Sequence, residues 1–396
     1  TTRGNPIVYA DWLHAPGAPT ILVYGHYDVQ PVDPLELWET PPFRPAVRNR
    51  RLYARGVSDD KGQIMVHIQA LEAILKSEGA LPVNVRVLLE GEEEVGSPNL
   101  GPFIRTHSDL LQSDVLLVSD TGLVAHNVPT LCCGLRGITT LEVDIFGART
   151  DLHSGIYGGA VANPLQVLAQ LLASLHGPDG RVRVPGFYDT VVELSEAERK
   201  QFAAHYADEA ELAERLGVGA FVGEEGYSAG ERMSIRPTLE INGLFGGFQG
   251  EGVKTVIPAE AHAKISCRLV PDQDPDDIVR RIADHLHQTC PPYMQLETRV
   301  GHGGRPWACD PSAPVLQAAK RALEAAFGRP VAFVRMGGSI PIMNVFTAVL
   351  QAPIVLMGFA APDDNAHAPN ENFPLDTYVL ALKASCLTWH EYGNMR

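Results

Sequence analysis

The sequence predicts an α/β protein whose run of strands and helices is interrupted by an α+β unit. Three observations carry this. Three apolar runs in the first third, at 21–24, 83–89 and 115–118, each stop at a cluster of polar, metal-ligating residue types. The character changes near Leu135-Arg136-Gly137, where half-exposed alternation and a glycine-rich loop take over. After Gly301-His302-Gly303-Gly304-Arg305-Pro306-Trp307 the first pattern returns.

Taken in order, residues 6–10 and 21–24 read as strands separated by a Pro/Gly turn, and 31–45 as a proline-rich loop. Leu52-Tyr53-Ala54-Arg55-Gly56-Val57-Ser58-Asp59-Asp60-Lys61-Gly62 then leads into a helix. Ile64, Ile68, Leu71 and Leu75 recur at i, i+4, i+7 and i+11, and Gly79 follows as its C-terminal stop. Residues 83–89 and 115–118 are further strands. In open α/β sheets, sites form outside the carboxyl ends of the strands.

Beyond 137 the elements shorten. Residues 139–146 alternate as a half-exposed strand should, and Asp151-Leu152-His153-Ser154-Gly155-Ile156-Tyr157-Gly158-Gly159 is a loop. Asn163 caps a helix with Pro164 at its first position and Leu165, Leu168, Leu171, Leu172 and Leu175 inside. Ser195 and Glu198 form a capping box. Strands are predicted at 238–242, 262–270 and 294–300, and Asp274-Pro275 opens a helix to about 287. In the last part, 315–327 is an amphipathic helix, 335–341 a tight glycine loop, 352–357 a strand and 363–371 a polar loop. The reading is therefore one domain made of residues 1–136 and 308–396, with an α+β domain inserted at 137–307.

Composition narrows the function. The 396 residues are 45% hydrophobic and 20% charged, which is ordinary globular composition for two domains. Lys+Arg 32 against Asp+Glu 47 gives −15, which disfavours nucleic acid and anionic membrane surfaces as partners. No apolar run approaches a membrane span. Six cysteines without CxxC spacing or a dense framework fit reduced thiols in a cytoplasm. The first residue is Thr1 and strand-like sequence begins almost at once, so a leading segment is expected ahead of it. There is no internal repeat and no P-loop.

The strand ends hold the chemistry. His26 and Asp28 lie two apart at the end of the second strand, so the carboxylate can orient the imidazole and leave one ring nitrogen bare for a metal. The same pair also serves as an ordinary polar pair at a turn. Asp59 and Asp60 enter a helix, where acids act equally well as caps. Glu90-Gly91-Glu92-Glu93-Glu94 packs carboxylates that repel one another unless a cation removes the penalty. Asp120 ends the next strand, and His367 sits in the loop after the last. His26, Asp59, Glu93 or Glu94, Asp120 and His367 together offer two imidazoles and several carboxylates without a thiolate. Two metal ions sharing one carboxylate need such a set, and the mixed nitrogen and oxygen donors suit zinc, with manganese or cobalt as alternatives.

Gly25-His26-Tyr27-Asp28-Val29-Gln30-Pro31, Arg55-Gly56-Val57-Ser58-Asp59-Asp60-Lys61-Gly62, Glu93-Glu94-Val95-Gly96-Ser97, Ser119-Asp120, Asp151-Leu152-His153-Ser154-Gly155 and Asn365-Ala366-His367 together closely resemble a family. It is that of the binuclear metallopeptidases related to aminoacylase, carboxypeptidase G and succinyl-diaminopimelate desuccinylase, and the match is closest to its cytosolic nonspecific dipeptidase/carnosinase branch. The resemblance implies a mixed-sheet catalytic domain with helices on both faces and an inserted lid and dimerisation domain, hence a homodimer. His26 and Asp120 would hold one divalent ion, Glu94 and His367 the other, and Asp59 would bridge them, with a cis bond to Asp60. Asp28 would orient His26. Glu93 would be the general base, taking a proton from a metal-bridging water. His153 would stabilise the oxyanion across the dimer. Thr255, Arg268, His302 and Ser339 resemble substrate-gripping positions, Arg268 through the substrate's C-terminal carboxylate. Glu92 stands where the branch often has an apolar residue; family spacing to Gly96-Ser97 then assigns Glu93 as base and Glu94 as ligand.

The implied activity is metal-dependent hydrolysis of dipeptides or short peptides with a free C-terminal carboxylate. The alternatives are an N-acyl or N-succinyl amino-acid deacylase and, in another class, a non-catalytic metal- or ligand-binding protein. The intact Glu93 speaks against the last.

Overall fold

Strands that are apolar without alternation need cover on both faces, and Val115–Val118 is such a strand, with all four residues buried. The computed structural model describes residues 3–203, 208–338, 340 and 342–395, leaving aside the side chains at 201–203 and 302. Two units are distinguished: Thr1–Gly134 with Ala308–Arg335 and Ile342–Arg396, and Leu135–Trp307 with Met336–Pro341. The return of 336–341 to the second unit is a feature that the sequence pattern does not carry.

The first unit is built on a mixed sheet. Its order runs Val8–Trp12, Asn84–Glu90, Thr20–His26, Val115–Val118, Ile354–Leu356, Thr130–Leu135. The four middle strands are parallel, and the outer pairings of Val8–Trp12 and Thr130–Leu135 are antiparallel. His26 is opposite Glu90, and both Tyr24 and Leu356 are opposite Val118. The parallel strands therefore end at one level, and whatever follows them shares one edge.

Helices cover both faces. Ile21 and Val23 pack with Ala70 and Ile74 of the helix Lys61–Glu78, Leu323 of Pro314–Phe327, and Trp389 and Tyr392 of Leu375–Gly393. Leu22 and Tyr24 point the other way. There the Tyr24 ring stands edge-on, 5.1 Å from Phe346 of the helix Met343–Leu350. Gly79 ends its helix in the left-handed conformation, φ 79°, which glycine adopts without strain.

The helix Leu375–Gly393 is absent from the sequence reading. Its buried face includes Thr377, Ser385 and Thr388, so apolar periodicity is diluted. Two of those hydroxyls have partners, Thr388 in the Ala384 carbonyl and Ser385 in a histidine. Ser385 Oγ is 2.9 Å from His67 Nδ1, and Ser119 Oγ is 2.7 Å from His67 Nε2. Ser119 already donates to the Met357 carbonyl, so it accepts from His67 Nε2–H and the ring is neutral with Nδ1 accepting. Burial pushes the His67 pKa down to about 4. A folded pKa below the ordinary value of about 6.5 means that the unfolded chain binds the extra proton, so stability is lost as pH falls from about 6.5 to about 4, by roughly 3 kcal/mol in all. Urea titrations over that range should show His67→Gln with a shallower dependence, by up to about 1.4 kcal/mol per pH unit. Equal slopes would refute the assignment.

The second unit is α+β. A four-stranded antiparallel sheet in the order Thr238–Gly246, Glu260–Leu269, Gly137–Phe146, Gln295–Gly304 carries the helices Pro164–Ala173 and Pro275–Thr289 on one face. Leu141, Val143 and Ile145 face those helices, while Thr140 and Glu142 alternate outward. The predicted caps form: Asn163 accepts from Leu165 N–H, and Asp274 from Asp276 and Asp277 N–H. The Ser195/Glu198 box forms as well.

Candidate active site

The carboxyl ends of the parallel strands assemble one cluster in the first unit. Thr20–His26 delivers His26, which is fully buried. Gly25 before it has no substitute, because a Cβ there would lie 2.6 Å from Ile64 and 2.7 Å from Asp60. That close approach lets the Asp60 carboxylate accept the His26 backbone N–H at 3.2 Å. Asp60 makes no side-chain cap to the helix that it precedes. Its bond to Asp59 is cis, as the resemblance implies.

Asp59 lies between the two imidazoles, Oδ1 2.9 Å from His26 Nε2 and Oδ2 2.8 Å from His367 Nε2. Asp120, two residues past Val115–Val118, is 3.8 Å from His26 Nε2. Glu94, in the turn Glu93–Val95 after the strand Asn84–Glu90, is 3.5 Å from His367 Nε2. Two groups result, His26/Asp59/Asp120 and Asp59/Glu94/His367, and within each the ligand atoms lie within 4.8 Å of one another. Each could hold a metal ion, and Asp59 belongs to both.

The three neighbouring glutamates part company here. Glu92 turns away, accepting from Asn99 Nδ2 at 2.8 and 3.1 Å. Glu94 faces His367. Glu93 is half-buried, its carboxyl pushed up to about 8 by burial and then by the charge of Asp120, with Glu94 adding and His26 opposing. Asp28 links the two loops: Oδ1 is 3.3 Å from His26 Nδ1, and Oδ2 accepts the Glu94 N–H at 3.0 Å.

Electrostatically the cluster is short of positive charge. Burial raises Asp120 and Glu94, and Asp60 is raised by burial and then by Asp120. Burial also works against the charge on Asp59 and on His26, yet their partners prevail: His26 and His367 keep Asp59 below the usual carboxylate range, and Asp120, then Asp28 and Asp59, hold His26 well above the usual imidazole range. Asp60 Oδ1 is buried without a hydrogen-bond partner. Divalent cations would relieve this crowding, and the nitrogen and oxygen donors fit zinc, manganese or cobalt.

The remaining sequence-predicted residues lie in the second unit or outside the described residues. The His153 side chain is exposed and accepts Gly155 N–H at 3.0 Å, in a short strand paired with Val256–Ile257. The carbonyl of Thr255 accepts Ser154 N–H at 3.1 Å. Arg268 lines a cavity of about 680 Å³ with Thr238, Glu240 and Ser266, and burial lowers its pKa. The His302 side chain and Ser339 fall outside the described residues. Three further residues serve the site without standing in its ligand pattern: Gln30 donates to Glu94 at 2.7 Å, and Asp364 and Glu371 bind the loop of Asp59. Gln30 stands inside the His26 stretch, within reach of the sequence pattern. The other two bond across more than 300 residues, with no local signal.

Relatives with known activities carry the same arrangement of chain. The Cys-Gly metallodipeptidase dug1 of Schizosaccharomyces pombe is 32% identical over 396 residues, 98% of this chain and 83% of its own. The Beta-Ala-His dipeptidase of Homo sapiens is 32% identical over 383 residues, 96% of this chain and 76% of its own. Among solved structures, the M20 family metallo-carboxypeptidase Sso-CP2 from Sulfolobus solfataricus superposes with a TM-score of 0.90 at 33% identity, over 100% of this chain and 90% of that one. The description "Peptidase family M20/M25/M40" matches residues 22–391, which takes in every strand end of the cluster from His26 to His367. By sequence, by fold and by the reach of that match, this chain belongs to peptidase family M20/M25/M40.

Proposed function

We propose that the protein is a metal-dependent dipeptidase that cleaves the amide bond next to a free C-terminal carboxylate. The observation that supports this most is Asp59 shared between two three-residue groups, with the half-buried Glu93 feeling the charge of both. In this reading His26 and Asp120 hold one divalent ion, Glu94 and His367 the other, and Asp59 both. Two such ions would polarise the scissile carbonyl and make water acidic enough to lose a proton near neutral pH. Their charge also offsets the repulsion from Asp120 and Glu94, so Glu93 is ionised and ready to act as base. Glu93 takes the proton from the attacking water and returns it to the leaving amine. Asp28 steadies the His26 ring from its Nδ1 side.

The second unit supplies the rest of the proposal. Arg268 pairs with the substrate carboxylate, with Thr255, His302 and Ser339 completing the grip. His153 stabilises the oxyanion in a second copy, which makes the unit both lid and dimer surface. Zinc is the first choice of metal, manganese or cobalt the alternatives. The cytoplasm is the proposed compartment, supported by the lack of any disulfide among the six cysteines. Among the described residues no helix is long and apolar enough to cross a membrane.

The test is a panel of unblocked dipeptides beside N-acetyl and N-succinyl amino acids, on chelator-stripped protein with zinc, manganese or cobalt added back. Metal-dependent cleavage of the dipeptides is the expected result. Cleavage of only the acylated compounds would move the protein to the deacylases, and none with any metal would leave a binding protein.

A further inference from the structure

The loop that carries Asp59 and the loop that carries His367 are joined by one buried carboxylate. Glu371 Oε2 accepts Arg55 Nη1 at 2.7 Å and Gly56 N–H at 2.9 Å. Its Oε1 accepts Ser58 N–H at 2.9 Å and Asp59 N–H at 3.1 Å. The side chains of Glu371 and Arg55 are 0% and 1% exposed. A second tie runs beside it, since Ser58 Oγ donates to Asp364, which also accepts Ala366 N–H at 3.0 Å. Between those ties, Asn365, His367 and Asn370 all have positive φ, 57°, 61° and 62°. Such a backbone is held by its surroundings rather than by its own preference.

We propose that Glu371, charge-matched by Arg55, is a positioning residue that sets the separation of Asp59 from His367 and so the affinity of the metal group they share. Four donors converge on two oxygens, and only an ionised carboxylate accepts that many without offering a hydrogen in return. Arg55 makes its burial tolerable, because a buried charge without a counterion is strongly destabilising. The clamp reaches the backbone N–H of Asp59 itself, so a loss at Glu371 is felt at the carboxylate between the imidazoles. Residues that orient metal ligands in this way typically change affinity by about 10- to 100-fold. The inference rests on the reading of Asp59 and His367 as ligands.

The experiment compares wild type, Glu371→Gln and Glu371→Asp as full chains. Zinc and manganese affinity are read by chelator competition, fold by circular dichroism of the metal-free protein, and kcat and KM after metal saturation. Gln turns an N–H₂ toward two of the donors. It should fold and bind metal about 10- to 100-fold more weakly, with kcat reduced at saturating metal and KM little changed. Asp keeps the charge on a shorter stem and should recover part of the affinity. Folded variants with wild-type metal affinity would overturn the inference. So would metal-free protein that is unfolded in both variants, because Glu371 would then be a residue of the fold. Wild type that takes up no divalent ion would overturn the ligand assignment, and the inference with it.

Discussion

Glu93→Ala should keep its metal and lose turnover, with kcat falling by roughly 100- to 10,000-fold, the range that general acid–base groups supply. The expectation follows from position. Glu93 is not one of the five residues in the two ligand groups, so its loss removes no donor from either. It does remove a half-buried carboxyl, which burial and Asp120 together push up to about 8 and which the charge of bound cations would ionise. Metal affinity should therefore hold, or weaken slightly with the loss of a neighbouring negative charge, while proton transfer is lost. Metal content by elemental analysis, alongside steady-state kinetics on an unblocked dipeptide, separates the two effects. A variant that hydrolyses at wild-type rate would remove Glu93 as base, and one that has lost its metal would make it a ligand.

How much of this was legible in sequence depended on distance along the chain. His26 and Asp28, Asp59 and Asp60, and Glu93 and Glu94 stand in short motifs at strand or helix ends. Their convergence follows from parallel strands that finish at one level, His26 opposite Glu90 and Leu356 opposite Val118. The strands themselves announced their burial by unbroken apolar runs, as at Val115–Val118. The alternative of Asp60 as a helix cap needed the structure, because only there does its carboxylate turn to the His26 N–H. The helix Leu375–Gly393 and the clamp of Glu371 were illegible for related reasons. The one buries hydroxyls where a core helix would show aliphatic side chains, and the other joins residues more than 300 apart. Polar groups buried in pairs leave no period in a sequence, because each is explained only by a partner elsewhere in the chain.

Asp59→Asn should reduce metal binding from two equivalents to one and cut activity by more than the roughly 10- to 100-fold that loss of a merely orienting residue costs. The two oxygens of Asp59 are divided, Oδ1 toward His26 and Oδ2 toward His367. An amide of the same shape offers one oxygen and one N–H₂, so one group keeps a donor and the other meets a hydrogen where a cation would sit. Asp120→Ala deprives only the group of His26, and Glu94→Ala only that of His367. Each of these should leave the other group able to take its ion. Metal titration of the three variants side by side thus tests the sharing itself, apart from any effect on catalysis. If Asp59→Asn still takes up two ions with wild-type affinity, the carboxylate is not shared and the paired-metal reading fails. If all three lose both ions, the two groups fill together, and Asp59 couples them as well as serving each.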